Sequence, residues 1–204
     1  MAHGLAVGRT ATRASRDIDV LADLVTSPEH LRTCVQAVKG LGFEGMKPLT
    51  GSTQHRFVHR DDGAVIDVLA PDHTPPRFPL TTVPPYHTIA IDGGHQALQR
   101  AVTFEATKQG RTVILPVPSV LGALVLKGAA FLADGRDRER HAGDAAFLAG
   151  LLADPLAARS EYKGSDRRRL EALDAVLSDR TSVSWRQLGA AANDAYAVWK
   201  LLRG

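Results

Sequence analysis

The sequence has one cysteine, no long apolar run and no marked excess of either charge. Cys34 is the only cysteine in 204 residues, which excludes an intrachain disulfide and fits a reducing cytoplasm. No apolar stretch approaches the roughly 20 residues that cross a membrane. The N-terminal stretch MAHGLAVGRTATRASRD lacks the apolar segment and the cleavage site of a signal peptide. We therefore expect a cytoplasmic protein without a membrane partner.

The near balance of charge excludes a strongly acidic or strongly basic chain. Lys and Arg outnumber Asp and Glu by 25 to 22, which permits a nucleic-acid partner without requiring one. The basic residues are unevenly placed, since Arg9, Arg13 and Arg16 precede an acidic pair. Such a cluster suits a polyanionic substrate, although solubility is the better explanation for each arginine when it is taken alone.

The N-terminal half of the sequence alternates between strand and helix patterns. TSPEHLRTCVQAVKGLGF is typical of a helix with Ser27 as its N-cap and Cys34 on its apolar face. Two β-rich runs around Gly63 predict a hairpin, and a loop rich in Pro and Thr follows from Pro71 to Pro85. Short strands are expected in HTIAI, AVTFEA and RTVILPV, which would complete a mixed or mainly antiparallel sheet.

From residue 119 onward, Gly, Ala and Leu recur at helical spacing. Three serines are each placed to cap a helix, namely Ser119, Ser165 and Ser184. Trp185 and Trp199 could stack on bases, but burial of an apolar helix face explains them better. The sequence therefore predicts an α/β (α+β) fold, with an N-terminal mixed-sheet lobe over residues 1–118 and a helical bundle over residues 119–204.

Two carboxylates, Asp17 and Asp19, stand one residue apart in the strand-forming segment DIDVL. In a strand they project from the same face, while Ile18 and Val20 are expected to face the core. Neighbouring acids repel, and a divalent metal ion held by oxygen ligands commonly offsets that repulsion. The simpler interpretation is a pair of solvated residues on an exposed strand face.

A third carboxylate favours the metal-site interpretation. Asp67 lies within AVIDVL, where ionised residues are disfavoured, on a strand that could lie beside the first. In two-metal sites the ions lie roughly 3.5–4 Å apart and act on the attacking hydroxyl and on the leaving phosphate oxygens. Asp17, Asp19 and Asp67 on neighbouring strands could supply such a site.

Four features occur along the chain in this order: Gly4, then TRASRDIDVL, AVIDVL and LPVPSVLGALVLKGAAFLADGRDRERHAGDAAFLAGLL. This order resembles the DNA polymerase β type nucleotidyltransferase superfamily. Within that superfamily the sequence is most similar to the MenT and AbiEii branch, the toxin enzymes of toxin–antitoxin systems. The resemblance spans Gly4 to about Leu152. A lysine followed by an aspartate in a helical region is the feature that points to this branch.

The resemblance implies a role for each matching residue. Asp17 and Asp19 would bind Mg²⁺ with Asp67 as the third carboxylate, which could activate an acceptor hydroxyl. Lys127 matches the helical lysine that binds the nucleotide triphosphate, and Asp144 matches the acidic residue that completes the site. Lys127 could instead snorkel from an apolar helix, and Asp144 could simply be solvated. We favour the functional interpretation of Lys127, because an unpaired ammonium among Leu and Val neighbours is unfavourable.

The resemblance also implies nucleotide-binding residues near the N-terminus. Gly4 takes the place of a phosphate-binding glycine, and Arg13 belongs to the basic cluster suited to phosphates. Ser15 precedes the acidic pair, where relatives contact phosphate or are modified by the antitoxin, although it could merely precede a strand. The family usually has an apolar strand ending in Gly-Gly or Gly-Ser before the metal-binding strand. We therefore expect either that this protein lacks that strand or that its start lies within a longer gene.

These implications combine into one functional expectation. The protein would transfer NMP from an NTP to the 3′ end of tRNA with Mg²⁺ as cofactor, block aminoacylation, and be neutralised by a cognate antitoxin protein. Two alternatives stay open. The acceptor could be a protein side chain or an aminoglycoside, or the chain could be a non-catalytic nucleic-acid-binding module whose acids are relics. Retention of three aspartates together with a helical lysine argues against relics.

Overall fold

The computed structural model describes residues 2–9 and 17–204 and confirms the predicted mixed α/β architecture with a C-terminal helical region. The chain forms two compact units. The first, here called the sheet unit, is Ala14–Leu98; the second, the helical unit, comprises Met1–Arg13 and Gln99–Gly204. Within the described part of the chain, no helix has the length and apolar character needed to cross a membrane.

The sheet unit contains a mixed five-stranded sheet. Its strands are β1 (Asp17–Leu21), β2 (Phe43–Gly45), β3 (Arg56–His59), β4 (Val65–Pro71) and β5 (Ala90–Ile91). The strand order is β1-β4-β3-β2, and β5 pairs with β4. The β1–β4 and β4–β5 pairs are parallel, whereas the β3–β4 and β2–β3 pairs are antiparallel. β4 is therefore a central strand, and β1 lies at an edge of the described sheet.

The predicted hairpin and helix of the sheet unit are present. The β3–β4 turn contains Gly63 with a φ of 69°, a left-handed conformation that glycine adopts without strain. Helix α2 (His30–Gly40) buries Leu31, Val35 and Val38 in the core beneath the sheet. The predicted cap is wrong, because α2 begins after Glu29 and no side chain caps it. The short helix α3 (Gly94–Gln99) follows β5.

The helical unit consists of a hairpin and most of the helices. Its elements are α1 (Ala2–Ala6), β6 (Ala101–Lys108), β7 (Arg111–Pro118), α4 (Val120–Ala133), α5 (Arg138–Ala149), α6 (Pro155–Ser160), α7 (Asp166–Leu177), α8 (Val183–Arg186) and α9 (Ala192–Arg203). Trp185 and Trp199 lie in its core at 1% and 0% exposure, as predicted. Their indole N–H groups donate to Leu177 O and Asp174 Oδ1, so burial leaves neither donor unpaired.

The helical unit begins about twenty residues before the predicted boundary at Pro118. β6 and β7 have the expected strand pattern, but they pair with each other as a separate hairpin. Ser119 N donates to Arg100 O at 2.7 Å, which joins the base of the hairpin to the start of α4. Alternation of apolar residues indicates a strand but not its pairing partner, so the sequence placed this hairpin with the sheet.

The three predicted serine caps have different outcomes. Ser119 caps α4, since its Oγ accepts from Gly122 N at 3.2 Å. Ser165 occupies the N-cap position of α7 but makes no capping bond with its side chain. Ser184 lies inside α8, whose cap is Ser182. Local spacing therefore located these helix starts to within about two residues.

Candidate active site

The three predicted metal-binding aspartates lie on one face of two adjacent strands. β1 and β4 pair in parallel with Asp19 directly opposite Asp67 and Asp17 opposite Val65. Because side chains two residues apart share a strand face, Asp17 projects from the same side as Asp19 and Asp67. The register thus confirms the predicted proximity of the two strands and brings the three carboxylates together.

These positions differ in burial. Asp67 is only 6% exposed, whereas Asp19 is exposed and the Asp17 side chain retains 27% exposure. Ile18 was expected to face the core but is 62% exposed, although its partner Ile66 is buried. β1 is an edge strand, so the packing that covers Ile66 does not extend over Ile18. A buried carboxylate such as Asp67 requires a cation or hydrogen-bond donors.

Arg56 supplies that cation. It lies on β3 directly opposite Asp67, and its Nε and Nη2 donate to Asp67 Oδ1 and Oδ2 at 2.9 and 2.7 Å. This bidentate geometry is the strong form of a charge-assisted pair. Arg56 Nη2 also lies 3.9 Å from Asp17 Oδ2. The hydrogen bonds that Arg56 donates to Asp67 raise the pKa of Arg56, and the charges of all three aspartates add to the effect.

The sequence interpretation missed Arg56, although the predicted hairpin contained the necessary signal. With the turn centred between Asp61 and Asp62, antiparallel pairing places Val58 opposite Val65 and therefore Arg56 opposite Asp67. Counting outward from the turn would have identified a basic residue facing the third carboxylate. Arg56 changes the interpretation of the site. The acidic face, which is formed by Asp17, Asp19 and Asp67, already contains a positive charge.

Mg²⁺ suits the chemistry of these residues, but in this conformation their side chains do not form a preorganised metal site. Carboxylate oxygens on one face are the ligands that Mg²⁺ prefers. Across residues 2–9 and 17–204, no three His, Cys, Asp or Glu side chains converge as a metal site. Both oxygens of Asp67 are occupied by Arg56. Asp17, Asp19 and Asp67 offer the oxygen ligands that a divalent ion takes, but for all three to hold one ion the carboxylates must move closer together and the guanidinium must leave Asp67.

The two predicted residues of the helical unit form an ion pair. Lys127 Nζ on α4 lies 2.7 Å from Asp144 Oδ2 on α5, with side-chain exposures of 31% and 25%. The sequence had led us to expect a triphosphate as the anionic partner of this ammonium. The structure provides Asp144 instead, so hydration loss at Lys127 does not by itself require a ligand. An experiment on the nucleotide role of Lys127 must therefore distinguish a loss of NTP binding from a loss of the Lys127–Asp144 ion pair.

His141 lies one turn before Asp144 on the same helix. Burial, followed by the nearby charge of Lys127, lowers the pKa of His141. Its Nε2 lies 3.7 Å from Asp134 Oδ2, and its buried Nδ1 has no hydrogen-bond partner. Since the ordinary pKa of histidine is about 6.5, this imidazole is neutral at physiological pH. His141 therefore adds no positive charge to those that Lys127 and Arg140 place near it.

Close helix packing fixes the backbone beside Lys127. A Cβ added to Gly128 would lie 2.3 Å from Arg169 O, so α4 approaches the α7 backbone too closely for any side chain. By contrast, a Cβ on Gly143 of α5 would meet only the flexible end of Gln187. Lys127 thus projects from a rigid element of the helical unit.

The N-terminal predictions have mixed outcomes. Gly4 lies in α1, where an added Cβ would be 2.5 Å from Arg9 O and 2.8 Å from Phe147 Cζ. Tight packing within the helical unit therefore accounts for this glycine, and its phosphate role stays a prediction. Arg13 and Ser15 lie outside the described residues.

The sheet unit also contains a basic cleft that the sequence analysis did not identify. Its volume is about 710 Å³, and its lining includes Lys39, Lys47, Arg60 and the aromatic ring of Tyr86. Gln54, also in the lining, is 3% exposed and its side-chain oxygen has no hydrogen-bond partner. The cleft lies beside β2, at the sheet edge opposite β1. The acidic face and the basic cleft are therefore separate features of one unit.

Comparisons of the chain with protein-family models, curated proteins and solved structures give no match. The function is therefore inferred from the sequence motifs and from the geometry of the side chains. That geometry comprises three carboxylates and a guanidinium on one sheet face, and a Lys–Asp pair between two helices. Carboxylates in this arrangement can bind cations and accept protons, and the ammonium can bind phosphate.

Proposed function

We propose that this protein is a Mg²⁺-dependent nucleotidyltransferase that transfers NMP from an NTP to a hydroxyl acceptor. In this reaction the acceptor oxygen bonds to the α-phosphorus, the bond to the bridging oxygen breaks, and pyrophosphate leaves. The observation that carries the proposal is the parallel register that places Asp19 opposite Asp67, with Asp17 on the same face. Bound Mg²⁺ would neutralise phosphate charge, which dominates catalysis of such transfers.

Individual side chains have distinct parts in this proposal. Asp17 and Asp19 are the more exposed carboxylates and would hold the metal. Asp67 would be the third metal ligand and, once Arg56 has left its oxygens, would accept the proton of the acceptor hydroxyl. Lys127 would bind the triphosphate, with Asp144 completing the site. From the family resemblance, we further propose that the acceptor is the 3′ end of tRNA and that the protein is the toxin of a toxin–antitoxin pair.

Labelled nucleotides test the reaction directly. We expect purified protein, incubated with total RNA and each α-labelled NTP in turn, to label RNA of tRNA size only when Mg²⁺ is present. The same NTP labelled at the γ-phosphate should leave the RNA unlabelled, because pyrophosphate carries that label away. Label on RNA from the γ-position would indicate a kinase, and no labelled product with any NTP would contradict the proposal.

Growth of an expressing host tests the toxin assignment. We expect the wild-type chain to arrest a host that lacks the antitoxin gene, and Asp67→Asn to relieve the arrest, because Asp67 is the proposed base. Asp61→Asn is the matched control, since Asp61 lies exposed in the hairpin turn. Normal growth despite abundant wild-type protein would contradict the toxin role and favour an antibiotic or a protein side chain as acceptor.

A second candidate function is nucleic-acid binding without catalysis. The basic cleft supports it, because Lys39 and Lys47 offer cations for phosphates and Tyr86 offers a ring for stacking. Arg60 is a third cation in the lining, but it pairs with Glu44 of the same cleft. The labelling experiment separates the two candidates, since a binding module would retain RNA without forming a labelled product.

A further inference from the structure

We infer that Arg56 is the resident counter-cation of the acidic face, and that a divalent ion binds there by displacing its guanidinium from Asp67. The inference rests on the proposed function, because it takes Asp17, Asp19 and Asp67 as the metal ligands. It adds to that proposal that Arg56, a residue of the protein itself, competes with the metal ion for Asp67.

The contacts of Arg56 make the competition direct. Its guanidinium binds both oxygens of Asp67 at 2.9 and 2.7 Å, and its Nη2 lies 3.9 Å from Asp17 Oδ2. An arginine side chain has no acceptor and does not lose its charge in proteins. A metal ion and this guanidinium therefore cannot share the same carboxylate oxygens without strong repulsion.

Burial determines which group moves. The Asp67 side chain is 8% exposed on the central strand β4, whereas the Arg56 side chain is 42% exposed on β3. Arginine has a long, flexible stem and can move its charged head into water while its backbone stays paired. Displacement therefore requires a rotamer change of Arg56 and leaves the β3–β4 pairing intact.

The charge balance explains why the exchange is feasible. Asp17, Asp19 and Asp67 carry three formal negative charges, and the guanidinium of Arg56 contributes one positive charge beside Asp67 and Asp17. A divalent ion offsets two and can contact several carboxylates at once. In the absence of metal, Arg56 satisfies the buried Asp67, which would otherwise be an uncompensated charge. Arg56 thus stabilises the sheet around Asp67, and it also lowers the affinity of the acidic face for a metal ion.

Metal titration tests the competition. We expect Arg56→Gln to bind Mn²⁺ about tenfold more tightly than wild type, or more, because a positive charge a few ångströms from the metal is removed. Binding is measured by calorimetry with Mn²⁺ alone. Arg32→Gln is the matched control, since Arg32 lies on α2 of the same unit and its side chain is 70% exposed. Equal Mn²⁺ affinity in wild type and Arg56→Gln would overturn the inference.

Thermal unfolding provides a second readout that a purely structural ion pair would not give. Without metal, Arg56→Gln should have a lower Tm than wild type, because Asp67 loses its partner. Saturating Mn²⁺ should raise the Tm of Arg56→Gln more than that of wild type. A Tm deficit that Mn²⁺ leaves unchanged would show that Arg56 only supports the fold.

A charge-conserving variant covers the case in which Arg56→Gln does not fold. Arg56→Lys keeps the positive charge but cannot form the bidentate pair. Its Mn²⁺ affinity should lie above that of wild type and, where both variants fold, below that of Arg56→Gln. An affinity for Mn²⁺ equal to the wild-type value would contradict competition at the oxygens of Asp67.

The two proposals fail in different ways. Mn²⁺ affinity is measured without nucleotide or RNA, so it does not depend on whether transfer occurs. If wild type transfers NMP but Arg56→Gln binds Mn²⁺ no more tightly, the inference fails and the function stands. If Arg56→Gln gains affinity but no NTP is a donor, the proposed function fails and Arg56 remains a competitor of a metal site.

Discussion

Asp17→Asn and Asp19→Asn should each lower the rate of NMP transfer at least about a hundredfold, because residues that merely support metal ligands already contribute 10–100-fold. Both side chains project from the same face of β1, and an amide is a weaker ligand for a hard cation than a carboxylate. The measurement is the initial rate of label transfer at limiting Mg²⁺. Wild-type turnover in either variant would show that the two-metal assignment is wrong.

Folding can be excluded as the cause of this loss. Asp19 lies directly opposite Asp67, and like charges facing each other across a sheet are destabilising. Asparagine is also nearly the same size as aspartate, so Asp19→Asn should stay folded, and any change in its free energy of unfolding should be too small to explain the loss of transfer. Asp61→Asn removes a carboxylate from the exposed hairpin turn of the same unit and should preserve both properties. Urea unfolding of the three proteins provides the comparison.

Local patterns predicted the elements that carry the acidic face. Runs rich in Ile, Val and Leu identified β1 and β4, and the Asp-Gly turn identified the hairpin that holds β3 beside β4. The spacing of Asp17 and Asp19 fixed their common face as soon as a strand was assigned. These features depend on neighbours within about ten residues, which is the range over which sequence patterns are informative.

Features that depend on tertiary neighbours were not predicted. Ile18 has an apolar side chain in a strand, but its exposure follows from the edge position of β1. Both strands of the β6–β7 hairpin were predicted. Tertiary packing determines whether such strands join the larger sheet or pair only with each other, and here they pair with each other. To predict that Arg56 pairs with Asp67, one needs the residue-by-residue register of the β3–β4 hairpin, and not only the knowledge that a hairpin forms.

The same distinction applies to Lys127 and Asp144. Helical periodicity predicted both helices, and the resemblance selected both residues as functional. Their direct contact depends on how α4 packs against α5, which periodicity does not specify. The contact gives Lys127 a structural explanation that competes with nucleotide binding. Any experiment on Lys127 alone would alter both the ion pair and the proposed triphosphate contact.

Lys127→Ala should weaken the binding of an NTP analogue with an uncleavable α–β bridge by about ten- to a hundredfold. This range corresponds to the roughly 1.5–3 kcal/mol that a hydrogen bond to a charged group contributes. Transfer should slow by a larger factor if the contact tightens in the transition state. Lys127→Arg should restore binding only in part, because a planar guanidinium does not reproduce a compact ammonium. The affinities are measured by calorimetry.

Asp144→Asn is the control that separates the two roles of Lys127. It breaks the same 2.7 Å ion pair but keeps the ammonium, so the structural loss matches that of Lys127→Ala. If Lys127 binds the triphosphate, Asp144→Asn retains the analogue or binds it more tightly, since Asp144 no longer competes for the ammonium. Its transfer rate should still fall, because Asp144 completes the proposed site. If the ion pair is only structural, both variants lower the free energy of unfolding and neither changes the affinity for the analogue.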